Sequence, residues 1–352
     1  MPVDEARFVV LFPDREAGTM DVHPGCTGRD DAIYTPVRSL GNNIVAKFES
    51  ARAQTLARLT RDVLEGKIQP GIQWCAACAA PRAPRAEWPT RQIILQEVFL
   101  AYLWGITYSL FVLEEEGWRR HLISGGEDPE PEVEHALQEA TKLFRWAVSL
   151  QNEYSPWPAT LPVPHRPRVI NGVDYVAKAN GIFIDAVAYL MFHEYAHIVH
   201  GHLPIAAEIR AKPIRDISDA ERNLLTQLEI EADADARESV LTADDPDNVQ
   251  LSRGMAVVMA HVATLLLVPR PSGLTQDMHP DVDTRLVNAI YSLSPEAVGR
   301  RDLFWTVACY ACIEFLRAHH VDAGSAHADT GEELLMRYLD ILDQVKRSNA
   351  FP

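Results

Sequence analysis

The chain has 352 residues, 47% of them hydrophobic and 23% charged, and carries a formal net charge of −16. Such a composition belongs to a folded chain with a sizeable core, in one large domain or two modest ones. The negative charge repels phosphate backbones, so no nucleic-acid partner is expected. The amino terminus, with acids early and one short apolar run, does not read as a secretion signal.

In chain order, a strand is expected at Phe8–Phe12 and a helix over Asn43–Glu65, whose charges share one face. Pro70–Pro89 is rich in Pro, Ala and Cys and reads as a loop, followed by one long buried helix over Arg91–Glu116. An acidic linker, Gly125–Glu132, precedes an amphipathic helix over Glu134–Asn152. The proline-rich stretch Pro156–Pro167 cannot form a central strand. Asn171-Gly172, between two short β-branched runs, signals a tight hairpin over Arg168–Val176. The remainder reads as helices over Phe183–His200, Asp219–Leu241, Leu251–Val268, Val282–Leu293, Asp302–His319 and Gly331–Arg347. The expected fold is therefore mainly α (α+β): a helical core with a small β-hairpin in front of the helix that begins at Phe183. The linker suggests a division into residues 1–130, of unassigned role, and 131–352.

Two stretches are strongly apolar, Val98–Leu113 and Met255–Val268. Both fall short of the roughly 18–20 residues of a membrane span and read as buried helices. No membrane association is expected, and a cytoplasmic location follows. Five cysteines without a secretion signal argue against a disulfide framework. Cys75/Cys78 and Cys309/Cys312 form two Cys-x-x-Cys pairs, which leaves a four-thiolate zinc site as an alternative to buried free thiols.

The densest chemistry lies in FHEYAHIVHGH, residues 192–202. His193 and His197 are four apart on a predicted helix, so their imidazoles can converge on one ion. Glu194 beside them can serve as general base toward a water molecule, which is the H-E-x-x-H arrangement of zinc peptidases. His200 returns to the same stripe and competes with His193 as a ligand. His202 follows Gly201, a natural helix end, and suits a hydrogen-bonding partner of a ligand. A third ligand is expected in QLEIEADADARES, residues 227–239, where either Glu229 or Glu231 can take the role. The residue one turn later, Asp233 or Asp235, can accept a hydrogen bond from a liganding histidine. The small residues Ala232, Ala234 and Ala236 suit close packing against a neighbouring helix.

His193-Glu194-x-x-His197, followed by Glu229-x-x-Ala232-Asp233-x-x-Ala236, resembles the glutamate-zincin metallopeptidases, especially the HtpX-type and CAAX-protease-type group. His202 stands where that group often has a histidine. Met278-His279-Pro280-x-x-x-x-Arg285-Leu286 is similar to its H-P-x-x-x-x-R-I/L motif. The resemblance spans Phe192–Leu286 and favours Glu229 over Glu231. It implies one catalytic zinc ion held by His193, His197 and Glu229, with Asp233 as hydrogen-bond acceptor and His279 and Arg285 near substrate. Most of that group is membrane-embedded, whereas this sequence reads as soluble. Its soluble layout also resembles the Lit phage-exclusion peptidase, which implies a phage-defence role. The repressor-cleaving ImmA/IrrE-type peptidases are a further comparison, although they usually carry Asn where Asp233 stands.

Together these features lead to the expectation of a zinc-dependent endopeptidase acting on a cytosolic protein. The hairpin would bind substrate backbone as an added strand. His279, Arg285 or Tyr195 would steady the oxyanion. The alternative from another class is a non-catalytic sensor or binding protein on the same scaffold, against which the presence of Glu194 speaks. Oligomeric state and substrate identity are not legible.

Overall fold

The computed structural model describes residues 35–75, 80–119, 128–242, 244–276, 279–293, 301–324 and 328–349. The strand expected at Phe8–Phe12, the first residues of the acidic linker, Cys26, Cys78 and Met278 lie outside them. The fold is mainly α, with two small sheets.

The single helix expected over Asn43–Glu65 is two helices, α1 (Gly41–Ser50) and α2 (Thr55–Leu64). A larger departure follows. The expected loop and the start of the expected long helix contain a three-stranded sheet of β1 (Ile72–Cys75), β2 (Arg85–Glu87) and β3 (Gln92–Gln96). β3 is central, parallel to β1 and antiparallel to β2, with Ala86 opposite Ile93. The apolar run Ile93–Leu95 adjoins that of the next helix, and hydrophobic periodicity cannot separate a short buried strand from a helical turn. The helix itself, α3, begins at Glu97 and runs to Val112; all of its residues are buried. It packs on four other helices and forms the axis of the molecule.

Helix α4 (Pro131–Ser149) covers one side of α3. The expected hairpin is present as β4 (Val169–Ile170) and β5 (Val173–Asp174). Its turn residues Asn171 and Gly172 have φ of 50° and 80°, as a two-residue hairpin turn of this type requires. Asp174 then caps helix α5 (Tyr175–Val199) by accepting the N–H groups of Val176 and Ala177. α5 thus starts eight residues earlier than its periodicity suggested. It ends at Gly201, whose φ of 73° is left-handed.

A short helix, α6 (His202–Arg210), fills part of what the sequence reads as a loop. A capping box between Ser218 and Glu221 starts α7 (Asp219–Val240). Then come α8 (Asp247–Leu266), α9 (Val282–Ser292), α10 (Arg301–Ala318) and α11 (Gly331–Asn349). α5 packs against α1, α3, α7 and α8. One hydrophobic cluster runs from Val37 to Leu342 and joins residues on both sides of position 130.

Three helical stretches are long and apolar enough to cross a membrane by length and composition: Glu97–Gly117, Tyr175–Val199 and Asp247–Leu266. The expectation that the apolar stretches are too short for this is corrected, because the helices take in flanking polar residues such as Glu97 and Asp247. The first is wholly buried by its neighbours. Cys75, Cys309 and Cys312 are buried free thiols. Burial pushes Cys309 up to about 12, and its Sγ donates to the Gly331 carbonyl at 3.5 Å.

Candidate metal centre

His193 and His197 project from the same side of α5, one helical turn apart, as their spacing requires. α7 lies alongside, because Leu225, Leu228, Ala232 and Ala236 form its buried stripe and the two alanines permit close approach. Glu229 shares that stripe and is buried with it. Ligand atoms of His193, His197 and Glu229 all lie within 4.8 Å of one another, and this is the one such group of metal-binding type among the described residues.

The distances discriminate further. The Nε2 atoms of the two histidines are 3.1 Å apart, and Glu229 oxygens stand 3.4 Å from His193 Nε2 and 3.7 Å from His197 Nε2. A tetrahedral zinc with bonds of about 2.0–2.1 Å sets its ligand atoms about 3.3 Å apart. The three separations bracket that value, and the donors are the imidazole and carboxylate groups that zinc takes, so the residues present fit the ion. The electrostatics agree. Burial disfavours charge on Glu229, but His193, His197 and His279 outweigh it and hold the carboxyl well below its ordinary range. His193 is buried too, yet contacts with Asp233 and Glu229 raise it to about 10. A pocket that retains a proton so strongly presents the same negative field to a cation.

The remaining candidates fall around this cluster. His193 Nδ1 stands 2.9 Å from Asp233 Oδ1, a close charge contact rather than a well-aligned hydrogen bond. Arg285 grips Asp233 with two bonds, Nη2 to Oδ1 at 2.7 Å and Nε to Oδ2 at 3.0 Å. That grip directs Arg285 to Asp233 rather than to the open side of the cluster. His202 is buried, and its Nδ1 lies 3.1 Å from His197 Nδ1. Burial, with His197 next, lowers His202 to about 4, so it is neutral. If His197 offers Nε2 to an ion, its Nδ1–H donates to His202 Nδ1, and His202 Nε2–H faces Glu231 at 3.5 Å.

Glu231 itself points outward, with its side chain 49% exposed, and reaches no ligand atom of His193 or His197. His200 also leaves the cluster: its Nε2 pairs with Asp235 at 2.8 Å. His279 Nδ1 is 3.0 Å from Glu229 Oε1, and its Nε2 accepts from Arg210 at 3.1 Å. Tyr195 is turned away; its hydroxyl donates to Asp62 of α2 and Arg58 covers its ring. The oxyanion role expected for Tyr195 is therefore corrected.

Glu194 is flanked by the sheet. Its Oε2 accepts the backbone N–H of Ala86 in β2, and burial raises its carboxyl above the ordinary value against the pull of His193 and His197. The hairpin expected to receive substrate lies elsewhere. Asp174 is 19 residues before His193 on α5, a helical rise of about 28 Å. The strand beside the cluster is β2, at the edge of its sheet.

Two further residues complete the cluster. The Tyr189 hydroxyl donates to Asp233 at 3.2 Å and lies 3.0 Å from His261 Nε2 on α8. Tyr189 is one turn before His193, so its position on the motif stripe was available as a signal. His261 lies in the apolar run Met255–Val268, where a single histidine carries no local signal of function.

A half-buried carboxylate, Glu194, stands beside a donor set that fits one cation, at the edge of a sheet in a mainly α fold. Comparison with known proteins gives the class: the family model described as Peptidase U49 matches residues 93–308, and the chain belongs to that family. No curated protein and no solved structure matches. The matched span holds the cluster from Tyr189 to Arg285 but starts after β1 and β2.

Proposed function

We propose that this chain is a zinc-dependent endopeptidase acting on a protein substrate in the cytosol. The observation that carries the reading is the convergence of His193 Nε2, His197 Nε2 and a Glu229 oxygen beside a half-buried Glu194. His193, His197 and Glu229 would hold the ion. When bound, zinc supplies Lewis acidity that polarises a carbonyl and acidifies water. Glu194 takes the proton of the attacking water and delivers it to the leaving amine. Its burial, which raises the carboxyl, matches it to both transfers. The Ala86 N–H fixes one oxygen of Glu194 and leaves the other to receive the proton. His279 meets Glu229 through Nδ1 and accepts from Arg210 through Nε2, so its part is to steady the Glu229 carboxylate. Arg285 acts through Asp233, orienting His193.

An extended peptide would lie along the outer side of β2, where no strand pairs among the described residues and, with the Ala86 N–H held by Glu194, the Ala86 carbonyl is the main-chain group that would accept from it. The large exposed apolar side chains, such as Leu64, Ile214 and Met336, lie on different elements of the surface.

Elemental analysis of purified chain, combined with a cleavage assay on an unfolded protein, tests the reading. One zinc per chain is expected in wild type and in Glu194→Gln, with cleavage lost only in the variant. Absence of stoichiometric metal, or equal cleavage by both proteins, rejects it.

A further inference from the structure

Tyr189 stands where three helices meet. It lies on α5, one turn before His193. Its hydroxyl donates to Asp233 Oδ1 on α7 at 3.2 Å, and the same oxygen lies 3.0 Å from His261 Nε2 on α8. The Tyr189 and His261 rings meet edge to face, with centroids 5.6 Å apart. Both are buried, and the other buried side chains of α8 are all apolar. An imidazole among them costs free energy unless its ring nitrogens find partners.

The direction of these bonds follows from counting protons. The Tyr189 hydroxyl has one to give. Asp233 is held as an anion by two bonds from Arg285, and an anion takes that proton in preference to a neutral imidazole. With the proton aimed at His261 instead, a Tyr189 lone pair would face the Asp233 oxygen at 3.2 Å and be repelled. The bond between Tyr189 and His261 therefore runs from the ring: His261 carries its proton on Nε2 and donates to the tyrosine oxygen. Burial, first, lowers His261 to about 4 against the pull of Asp233, so the ring is neutral and this is its single N–H. The result is a directed chain from His261 through Tyr189 to Asp233 Oδ1, which lies 2.9 Å from His193 Nδ1. Arg285 reaches the same carboxylate from α9, which packs on α8. The α8 and α9 pair thus holds Asp233 twice, directly through Arg285 and by way of Tyr189 through His261.

We propose that His261 is a positioning residue of the metal centre: donating through Nε2 to Tyr189, it keeps the Asp233 carboxylate against His193 Nδ1, so that His193 presents Nε2 toward His197 and Glu229. This rests on the zinc reading above and extends the support of the centre to α8. The effect is carried by a bond rather than by bulk. A side chain with an N–H at the same place can therefore substitute, and an apolar ring cannot. Gln offers such a group, because its Nε2 lies as many bonds from the backbone as that of His.

Two measurements test this. Nitrogen-15 NMR of the metal-free full-length chain reads the His261 tautomer, its signal assigned by its loss in His261→Gln. A proton on Nε2 is expected; a proton on Nδ1 overturns the inference. Zinc affinity, from chelator competition, is then compared for wild type, His261→Phe, His261→Gln, Tyr189→Phe and the double variant His261→Phe with Tyr189→Phe. His261→Phe is expected to weaken zinc binding about three- to tenfold, less than the 10–100-fold typical when a direct partner of a liganding histidine is lost. His261→Gln is expected to stay within about twofold of wild type, and His261→Phe to add less than about twofold once Tyr189 has lost its hydroxyl. An equal loss in both Tyr189 backgrounds, or a loss in His261→Gln as large as in His261→Phe, means that packing rather than the bond matters and overturns the inference. If His261→Phe does not fold, the wild-type tautomer and the His261→Gln affinity still decide. A proton on Nε2 in a wild-type chain that binds no stoichiometric zinc supports the directed chain and rejects the zinc reading instead.

Discussion

Asp233 lies 2.9 Å from His193 and is held by Arg285 through both Nε and Nη2. The carboxylate is thereby fixed between a ligand candidate and a permanent cation. Burial opposes its charge, but the Arg285 charge and the contact with His193 hold Asp233 well below the ordinary carboxylate range. A partner of this kind sets the tautomer and ring angle of a metal-binding histidine. Asp233→Ala is expected to weaken zinc binding by about 10–100-fold while keeping the helices intact. Competition with a chromogenic chelator measures it, and unchanged affinity would remove Asp233 from the centre.

The two acidic registers on α7 make opposite predictions. Glu229 is buried against both histidines, whereas Glu231 is half in solvent and meets His202. Glu229→Gln is expected to lose stoichiometric zinc. Glu231→Gln is expected to retain it, with affinity changed by less than about threefold, because an exposed pair of this kind contributes little. Metal content of the two purified variants decides between the registers.

The reason the sequence left these registers open is physical. Periodicity identifies α5 and α7 and places His193, His197 and Glu229 on their helices, but it does not say which face of α7 turns inward. That depends on Leu225, Leu228, Ala232 and Ala236 packing against α5, a tertiary choice. The β2 edge was hidden for a different reason. β2 has three residues, Arg85 to Glu87, two of them charged, within a proline-rich stretch, and nothing local marks it as a strand. The hairpin at Asn171-Gly172 carried a strong local signal and formed as expected, yet the length of α5 sets it far from the cluster. Arg285 was identified by its motif spacing, but its engagement with Asp233 appears only once α9 packs on α8 and the guanidinium reaches across to α7.

Tyr189 tests the buried support behind His193. Its hydroxyl donates to Asp233 and meets His261, and the ring is fully enclosed. Burial, first, and the Asp233 charge push its hydroxyl well above the ordinary tyrosine value, so it remains a donor. Tyr189→Phe removes that donor and leaves Asp233 and His261 each short of a partner. A loss of about 1–3 kcal/mol in unfolding free energy is expected, read from denaturant titration. A change near zero would mean that water replaces the hydroxyl.

Metal removal separates the histidine cluster from the cysteine alternative. An ion bound only by the folded chain stabilises it by about 2.7 kcal/mol when free metal is at one hundred times its dissociation constant. Chelation is therefore expected to lower the thermal midpoint by several degrees, and added zinc to restore it. The response should vanish in His193→Ala, because removing one of three protein ligands leaves too few to hold the ion at the same concentration. It should persist in Cys75→Ser and Cys309→Ser, since Cys309 and Cys312 sit in the α10 core with Cys309 turned to the Gly331 carbonyl. The variants must be compared by the shift between chelated and zinc-loaded samples, because each substitution in a buried position changes the midpoint by itself. A chelation shift that survives His193→Ala and disappears in Cys75→Ser would move the metal to the cysteines and leave Glu194 without a partner in catalysis.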